Sequence, residues 1–221
     1  MATAITLGLM ASIFGLTTPA QGMFDAQPEL SDMHQRLRTG VDALAKDLLM
    51  AGAPVMPYRA GERDSDPDFG IFYRHDTITL VSVPWDDGTT TSDTYYLRSD
   101  TAASTFQLRH YDGVETDLPV VDQVVKLEFE YFGADRIRLD PATLQDGPWE
   151  PDGTDSNRFD ADLLNIRRVR VTLRVQAARA TLRGPAGMLF MHGGTAASSE
   201  RYLPDREVRF DISPRNLNLQ Y

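Results

Sequence analysis

The chain has 221 residues, of which 42% are hydrophobic and 24% charged, and this is typical of one folded domain with an appendage or of two small domains. Its formal net charge of -10 argues against nucleic-acid binding, which needs clustered Lys and Arg to neutralise phosphates. Cysteine is absent, which excludes disulfides, thiolate metal ligands and cysteine nucleophiles.

The first predicted element is an apolar segment, 1–24, with no charged side chain before Asp25. Its length is close to the ~20 apolar residues that cross a bilayer, so it predicts a transmembrane helix. A cleaved secretory signal is the alternative, because small residues surround Pro19, although the basic start of such a signal is missing. The large apolar side chains of the predicted helix are Ile5, Leu7, Leu9, Met10, Ile13, Phe14 and Leu16.

The second segment, 25–52, predicts an amphipathic helix that continues the first one. Apolar residues recur at spacings of three and four, which places them on one helix face that we expect to pack on the domain's own sheet. The two helical halves together span on the order of 75 Å. A cluster of Gly, Thr and Pro between Gly15 and Gly22 predicts a kink or a local loss of helix. The residues of the packing face are Leu30, Met33, Leu37, Val41, Leu44 and Leu48.

The remaining segment, 53–221, reads as a β-rich globular domain. A Pro/Gly/Asp-rich stretch, 53–70, predicts a surface loop. Asp87-Gly88 and Asp112-Gly113 are turn signals, and the second predicts a tight hairpin. Predicted strands cover 76–83, 94–98, 105–110, 124–132, 167–175 and 207–212, because apolar and polar residues alternate in them or β-formers dominate.

The clearest alternation occurs in 124–132 (VVKLEFEYF) and 167–175 (RRVRVTLRV). Each strand then has one buried and one exposed face, and we predict that the two are sheet neighbours. In the first strand we expect the inward residues to be Val125, Leu127, Phe129 and Tyr131. On the exposed side, Glu128 and Glu130 would face arginines of the second strand, namely Arg168, Arg170 or Arg174. The predicted fold class is α+β, a long N-terminal helix packed on an antiparallel sheet.

Residue patterns for catalysis are missing, so we predict no enzyme activity. The four histidines are dispersed, and no nucleophile elbow, P-loop or dinucleotide fingerprint occurs. One acidic stretch, 151–162, has oxygen ligands around a glycine and suits Ca²⁺, but it lacks the bidentate glutamate of an EF-hand. An Asp-rich turn followed by a short helix capped at Asp160 is the alternative. No cofactor is expected otherwise. The candidate Ca²⁺ ligands are Asp152, Asp155, Asn157 and Asp160, with Asp162 nearby.

An apolar helix that continues into an amphipathic one before a β domain resembles type IV pilins and the pseudopilins of type II secretion. The segment LSDMHQRLRTGVDALAKDLLMAG (30–52) is similar to the corresponding helix of PilW-type minor pilins. The segments 158–176 and 207–220 also resemble that group. The family's basic leader, Gly-Phe processing site and early glutamate do not occur here, so we expect the true start codon to lie upstream. A product that prepilin peptidase cannot process is the alternative.

The resemblance implies a structural minor pilin that contributes to the priming, assembly or tip of a type IV pilus. Its partners would be other pilin and minor pilin subunits, contacted through the N-terminal helix. Before assembly the helix would cross the bacterial inner membrane once, and afterwards the subunit would be part of an extracellular pilus. Two alternatives stay open: a PulJ-like pseudopilin of type II secretion, or a secreted or periplasmic β-rich binding domain with a cleaved signal peptide.

Overall fold

The computed structural model describes residues 2–51, 56–57, 65–66, 71–72, 78–82, 91–100, 105–144, 146–150, 159–183 and 203–215. It gives the backbone alone for 2, 14–25, 56–57, 65–66, 71–72, 79, 81–82, 91–92, 99–100, 105, 150 and 159. Three 3₁₀ helices cover Pro141–Leu144, Ala161–Asn165 and Ala180–Leu182. The other elements are helix α1 (Ala2–Met50) and strands β1 (Met56–Pro57), β2 (Ser65–Asp66), β3 (Ile71–Phe72), β4 (Ile78–Ser82), β5 (Thr91–Asp100), β6 (Thr105–Tyr111), β7 (Asp117–Phe132), β8 (Arg138–Leu139), β9 (Trp149–Glu150), β10 (Phe159–Asp160), β11 (Arg168–Val175) and β12 (Arg206–Ile212).

One antiparallel sheet forms the centre of the molecule. Its strand order is β1-β4-β5-β6-β7-β11-β12, and β8 pairs with β7 in addition. The second half of α1 packs on this sheet, mainly against β7, β11 and β12. The predicted fold class, α+β with a long N-terminal helix on an antiparallel sheet, is confirmed. The predicted loop 53–70 was wrong in part, because it contains β1 and β2.

Helix α1 is continuous over 49 residues. It therefore runs through 15–22, where the sequence predicted a kink or a local loss of helix, without an interruption of its helical backbone. Helix propensity is a weak preference, and hydrogen bonds on either side hold a helix through residues that disfavour it. The helix ends at Met50, just before the predicted stop at Gly52, and the Ala51 N–H still donates to the Asp47 carbonyl at 2.9 Å.

Strands β7 and β11 are antiparallel neighbours, which confirms the predicted pairing. The alternation of β7 was predicted wrongly at one position, because Val124 is fully buried and Val125 is only half-buried. The ladder shifts register where Val175 lies opposite Val124, and the neighbouring Gln123 has a φ of +61°. A β-bulge adds one residue to one of two paired strands. The residues before it therefore point to the sheet face opposite to the one that regular alternation predicts.

The turn between β6 and β7 is longer than the predicted tight hairpin. Tyr111 ends β6 and Asp117 begins β7, so five residues, 112–116, connect the strands. Asp112 Oδ1 accepts the N–H groups of Val114, Glu115 and Thr116 at 3.0, 3.0 and 2.9 Å. Gly113 has a φ of +78°, which fits the requirement of such a turn for a left-handed residue. The predicted turn at 87–88 lies outside the described residues.

Candidate functional site: the N-terminal helix and its contacts with the sheet

The N-terminal part of α1 presents apolar side chains to solvent. Five large side chains between residues 5 and 13 are 54–69% exposed, whereas a globular domain normally buries such residues. Gly8 lies in open space, and Ser12 Oγ donates to the Gly8 carbonyl at 2.9 Å. The side chains of Phe14 and Leu16, predicted for the same surface, lie outside the description. The exposed residues are Ile5, Leu7, Leu9, Met10 and Ile13.

The C-terminal part of the same helix is packed on the sheet. Of the residues predicted for this face, four are buried, Leu30 is partly buried against the core, and Val41 is half-buried. Gly40 lies on the same face, and a Cβ there would be 2.7 Å from Leu173 Cδ2 and 2.8 Å from Val121 Cγ2. The helix backbone therefore approaches the sheet closely at this point. The four buried residues are Met33, Leu37, Leu44 and Leu48.

Two polar contacts fix the packed half of the helix. Near its beginning, the buried Glu29 accepts the backbone N–H of Ala178. Near its end, the Tyr95 hydroxyl donates to Asp47 Oδ2 at 2.5 Å. Burial, and then the hydrogen bond to Asp47, raises the pKa of Tyr95 far above its ordinary value. The phenol therefore stays protonated and keeps donating to the half-buried carboxylate of Asp47.

Next to Tyr95 lies a histidine that the sequence did not single out for a role. His110 Nε2 is 2.8 Å from Asp93 Oδ1, and the imidazole stacks on the Tyr95 ring with centroids 4.8 Å apart. The hydrogen bond to Asp93 raises the pKa of His110, and the nearby Asp47 and Asp112 act in the same direction. The protonated imidazole is therefore favoured beside the last turns of α1, where positive charge also interacts well with the helix dipole.

The arginine row of β11 is half-buried, and its hydrogen bonds and ion pairs go to other carboxylates than those predicted. Arg170 lies opposite Glu130 in the ladder, but its guanidinium binds Asp211 of β12 with two hydrogen bonds of 2.7 and 3.1 Å. Arg168 also reaches Asp211, at 3.3 Å. Glu130 pairs instead with Arg138 of β8 at 3.0 Å. The predicted facing of Glu130 and Arg170 is confirmed by the ladder, but Arg170 makes its hydrogen bonds to Asp211, because β12 lies on the other side of β11.

Glu128 and Arg174 also have other partners than those predicted. Glu128 lies opposite Thr172, and its carboxylate is 2.8 Å from Lys126 of its own strand. Arg174 lies 4.0 Å from Asp205, just before β12, and its side chain is only 13% exposed. Each arginine of the row thus has an acidic neighbour, and this sheet face is charge-balanced and partly buried.

The acidic stretch considered for Ca²⁺ is described only at its end. Asp160 is buried and caps the short helix Ala161–Asn165: its Oδ1 accepts the Asp162 N–H at 2.9 Å, and its Oδ2 accepts the Gly147 N–H at 2.7 Å. The predicted capped helix is confirmed there. Within the described ranges, no cluster of three or more His, Asp or Glu side chains is arranged to hold a metal ion. The candidate ligands that lie outside those ranges are Asp152, Asp155 and Asn157.

A shallow groove of about 420 Å³ runs between α1 and the edge strand β12. Apolar and charged side chains line it in similar numbers, and Arg38 and Asp42 on its rim form an exposed ion pair at 3.7 Å.

In the part of the chain that the structure describes, no helix combines the length and the apolar character needed to cross a membrane.

No family model and no curated protein match the chain. Among solved structures, it is similar to a type IV-like pilin from Thermus thermophilus. The two sequences are 12% identical, the match covers 83% of this chain and 97% of the other, and the TM-score is 0.41. At this TM-score the two structures agree only in part, so the fold assignment rests on the helix and the sheet observed in this chain.

Proposed function

We propose that the chain is a structural subunit of a type IV pilin-like filament, in which the apolar first part of α1 packs against the corresponding helices of neighbouring copies. The observation that carries this proposal is the contrast along one helix. The half around Leu44 is buried on the sheet, while Leu7, Leu9 and their neighbours are more than half exposed. An exposed apolar helix surface favours association, because its burial removes apolar area from water.

The residues between the large apolar ones also favour close helix packing. Ala4, Gly8 and Ser12 recur at intervals of four, which places them on one side of the helix. Small residues at this spacing let two helix backbones approach each other. A subunit of this kind performs no reaction; its role is to assemble and to present the β domain at the filament surface.

The finer assignment is a PilW-like minor pilin that contributes to pilus priming, assembly or the tip. It is supported by the resemblance of segment 30–52 to that group. Before assembly, the same apolar surface would contact inner-membrane lipid. A pseudopilin of a type II secretion system has the same domain organisation. The two roles differ in whether loss of the subunit impairs pilus formation or protein secretion.

A substitution inside the exposed surface tests the proposal. Leu7→Glu places a charge in the expected helix contact, and we expect the variant subunit to be missing from sheared surface filaments while the protein still folds. Leu118→Glu is the matched control, because Leu118 is similarly exposed but lies on β7. Normal incorporation of Leu7→Glu would contradict the proposal. Lost secretion of exported enzymes, with normal filaments, would instead indicate the pseudopilin role, and a mature chain starting at Gln21 would indicate a secreted domain.

A further inference from the structure

A charged residue occupies the apolar packing face of α1. Glu29 precedes Met33 by four residues, so the two lie on the same side of the helix. Its side chain is only 6% exposed. Burial of a carboxylate costs free energy unless hydrogen bonds satisfy its oxygens, so Glu29 needs hydrogen-bond partners within the folded domain.

The partner of Glu29 is itself held firmly. Glu29 Oε1 accepts the N–H of Ala178, in the loop that follows β11. Arg183 holds this loop from the other side: its Nε donates to the Ala177 carbonyl at 2.6 Å, and its Nη2 donates to the Ala178 carbonyl at 2.7 Å and to Gln123 Oε1 at 2.7 Å. The donor that Glu29 uses is therefore fixed to the bulged part of β7, and hence to the sheet.

Glu29 lies close to the point where α1 begins its contact with the core. Among the residues whose side chains are described, Ala26 and Leu30 are the first of the helix that pack against the core, and Ile13 is the last before them that is exposed. Ile13 is about 24 Å from Glu29 along the helix axis. Along a straight helix, a rotation of about 10° at Glu29 would thus move Ile13 by about 4 Å.

We propose that Glu29 is a positioning residue: its hydrogen bond to Ala178 fixes the direction in which the apolar half of α1 leaves the globular domain. The neighbouring Arg36 supports the arrangement, because its Nη1 lies 3.7 Å from Glu29 Oε1 and balances the buried charge. The direction of the helix is a property of the single subunit. Only its consequence, an orientation suited to contact with other copies, rests on the proposed function.

Distance measurements between two spin labels test the direction of the helix. The chain has no cysteine, so Ile13→Cys and Leu118→Cys provide two unique attachment sites, one on the projecting helix and one on β7. The full chain is labelled in detergent, and double electron–electron resonance gives the distribution of distances. We expect a narrow distribution with Glu29 in place and a broader or shifted one in Glu29→Ala.

Two further variants separate this hydrogen bond from general effects on the helix. Glu29→Gln keeps a side-chain oxygen that accepts from Ala178, so it should keep the narrow distribution. Asp32→Ala removes an exposed carboxylate that is 3.9 Å from the same Arg36, and it should also leave the distribution unchanged. An unchanged distribution in Glu29→Ala, or equal broadening in all three variants, would overturn the proposal.

Hydrogen exchange of the Ala178 amide gives a second readout in the same samples. Loss of its acceptor in Glu29→Ala should speed the exchange by about tenfold or more, whereas Glu29→Gln should retain most of the protection. Protection that persists in Glu29→Ala would also overturn the proposal. Both readouts concern one subunit, so a failure of filament assembly would leave them unaffected and the two proposals can fail separately.

Discussion

Tyr95 on β5 donates its hydroxyl to Asp47 on α1 at 2.5 Å, and this contact joins the last turns of the helix to the sheet. Tyr95 is almost fully buried. At the other end of the packed half, Glu29 makes the corresponding contact with Ala178. Two carboxylates thus anchor the packed half of the helix near its two ends, and apolar side chains pack on the sheet between them.

Removal of the Tyr95 hydroxyl should destabilise the domain. In Tyr95→Phe the Asp47 carboxylate loses its donor, and we expect a loss of about 1–3 kcal/mol in the free energy of unfolding, measured with urea. Tyr131→Phe is the matched control, because the Tyr131 hydroxyl is buried and has no hydrogen-bond partner in the part of the chain that the structure describes. An equal loss in both variants would contradict the assigned role of the hydrogen bond.

The contact between His110 and Asp93 should make the stability depend on pH. Its hydrogen bond raises the pKa of His110 above the ordinary value of about 6.5, so the folded state favours the protonated form. The stabilisation is therefore complete below about pH 6.5 and is lost as the pH rises through the raised pKa. We expect the difference in unfolding free energy between the natural chain and His110→Gln to decrease over that interval. Asp93→Asn should abolish the decrease, and a difference independent of pH would contradict the prediction.

The close approach at Gly40 predicts opposite effects for two glycine substitutions. Gly40→Ala would place its Cβ against Leu173 and Val121, and we expect a loss of about 1–3 kcal/mol as the helix moves off the sheet. Gly8→Ala meets nothing within 4 Å, so it should raise the helical content and gain about 0.5–1 kcal/mol of helix stability. Circular dichroism during thermal unfolding measures both. A neutral Gly40→Ala would show that the helix is not packed this closely.

The turn at 112–116 should lose its order in strong acid. Hydrogen bonds from the backbone of Thr116 and Val114 lower the pKa of Asp112 to about 2. The stabilisation is present above the ordinary pKa of about 3.9 and is lost as the pH falls through about 2. Titration of the Asp112 carboxyl carbon by NMR should give this low value. Asp112→Ala should speed amide exchange at Thr116, whereas Glu115→Ala should not, and a carboxyl that titrates normally would contradict the turn geometry.

The periodic parts of the fold could be predicted from the sequence, because burial imposes a repeat. The spacing of Met33, Leu37 and Leu44 on α1 and the alternation of Leu127 and Phe129 on β7 both reflect one buried face. The register error at Val125 arose because a β-bulge depends on the neighbouring strand. Local alternation contains no information about where the ladder will shift.

Contacts between distant segments could not be predicted in the same way. Arg170 binds Asp211, 41 residues later in the chain, and nothing local indicates that β12 lies beside β11. Glu29 was missed although a signal was present, since a carboxylate occupied the apolar face of a helix. A carboxylate on an apolar helix face indicates that a buried hydrogen-bond donor lies nearby. The donor here is the backbone N–H of Ala178, and no sequence pattern identifies a backbone group as a partner.

Disulfide formation between subunits tests whether the chain assembles through the first half of α1. Because the chain lacks cysteine, Ile5→Cys, Leu9→Cys and Ile13→Cys each introduce one thiol on the exposed helix surface, and Ile137→Cys introduces an equally exposed one elsewhere. Each variant is expressed in a separate strain, oxidised on intact cells and analysed by gel electrophoresis without reductant. We expect covalent dimers for at least one helix variant and none for Ile137→Cys. Monomers from all three helix variants, or dimers from Ile137→Cys alone, would contradict assembly through the first half of α1.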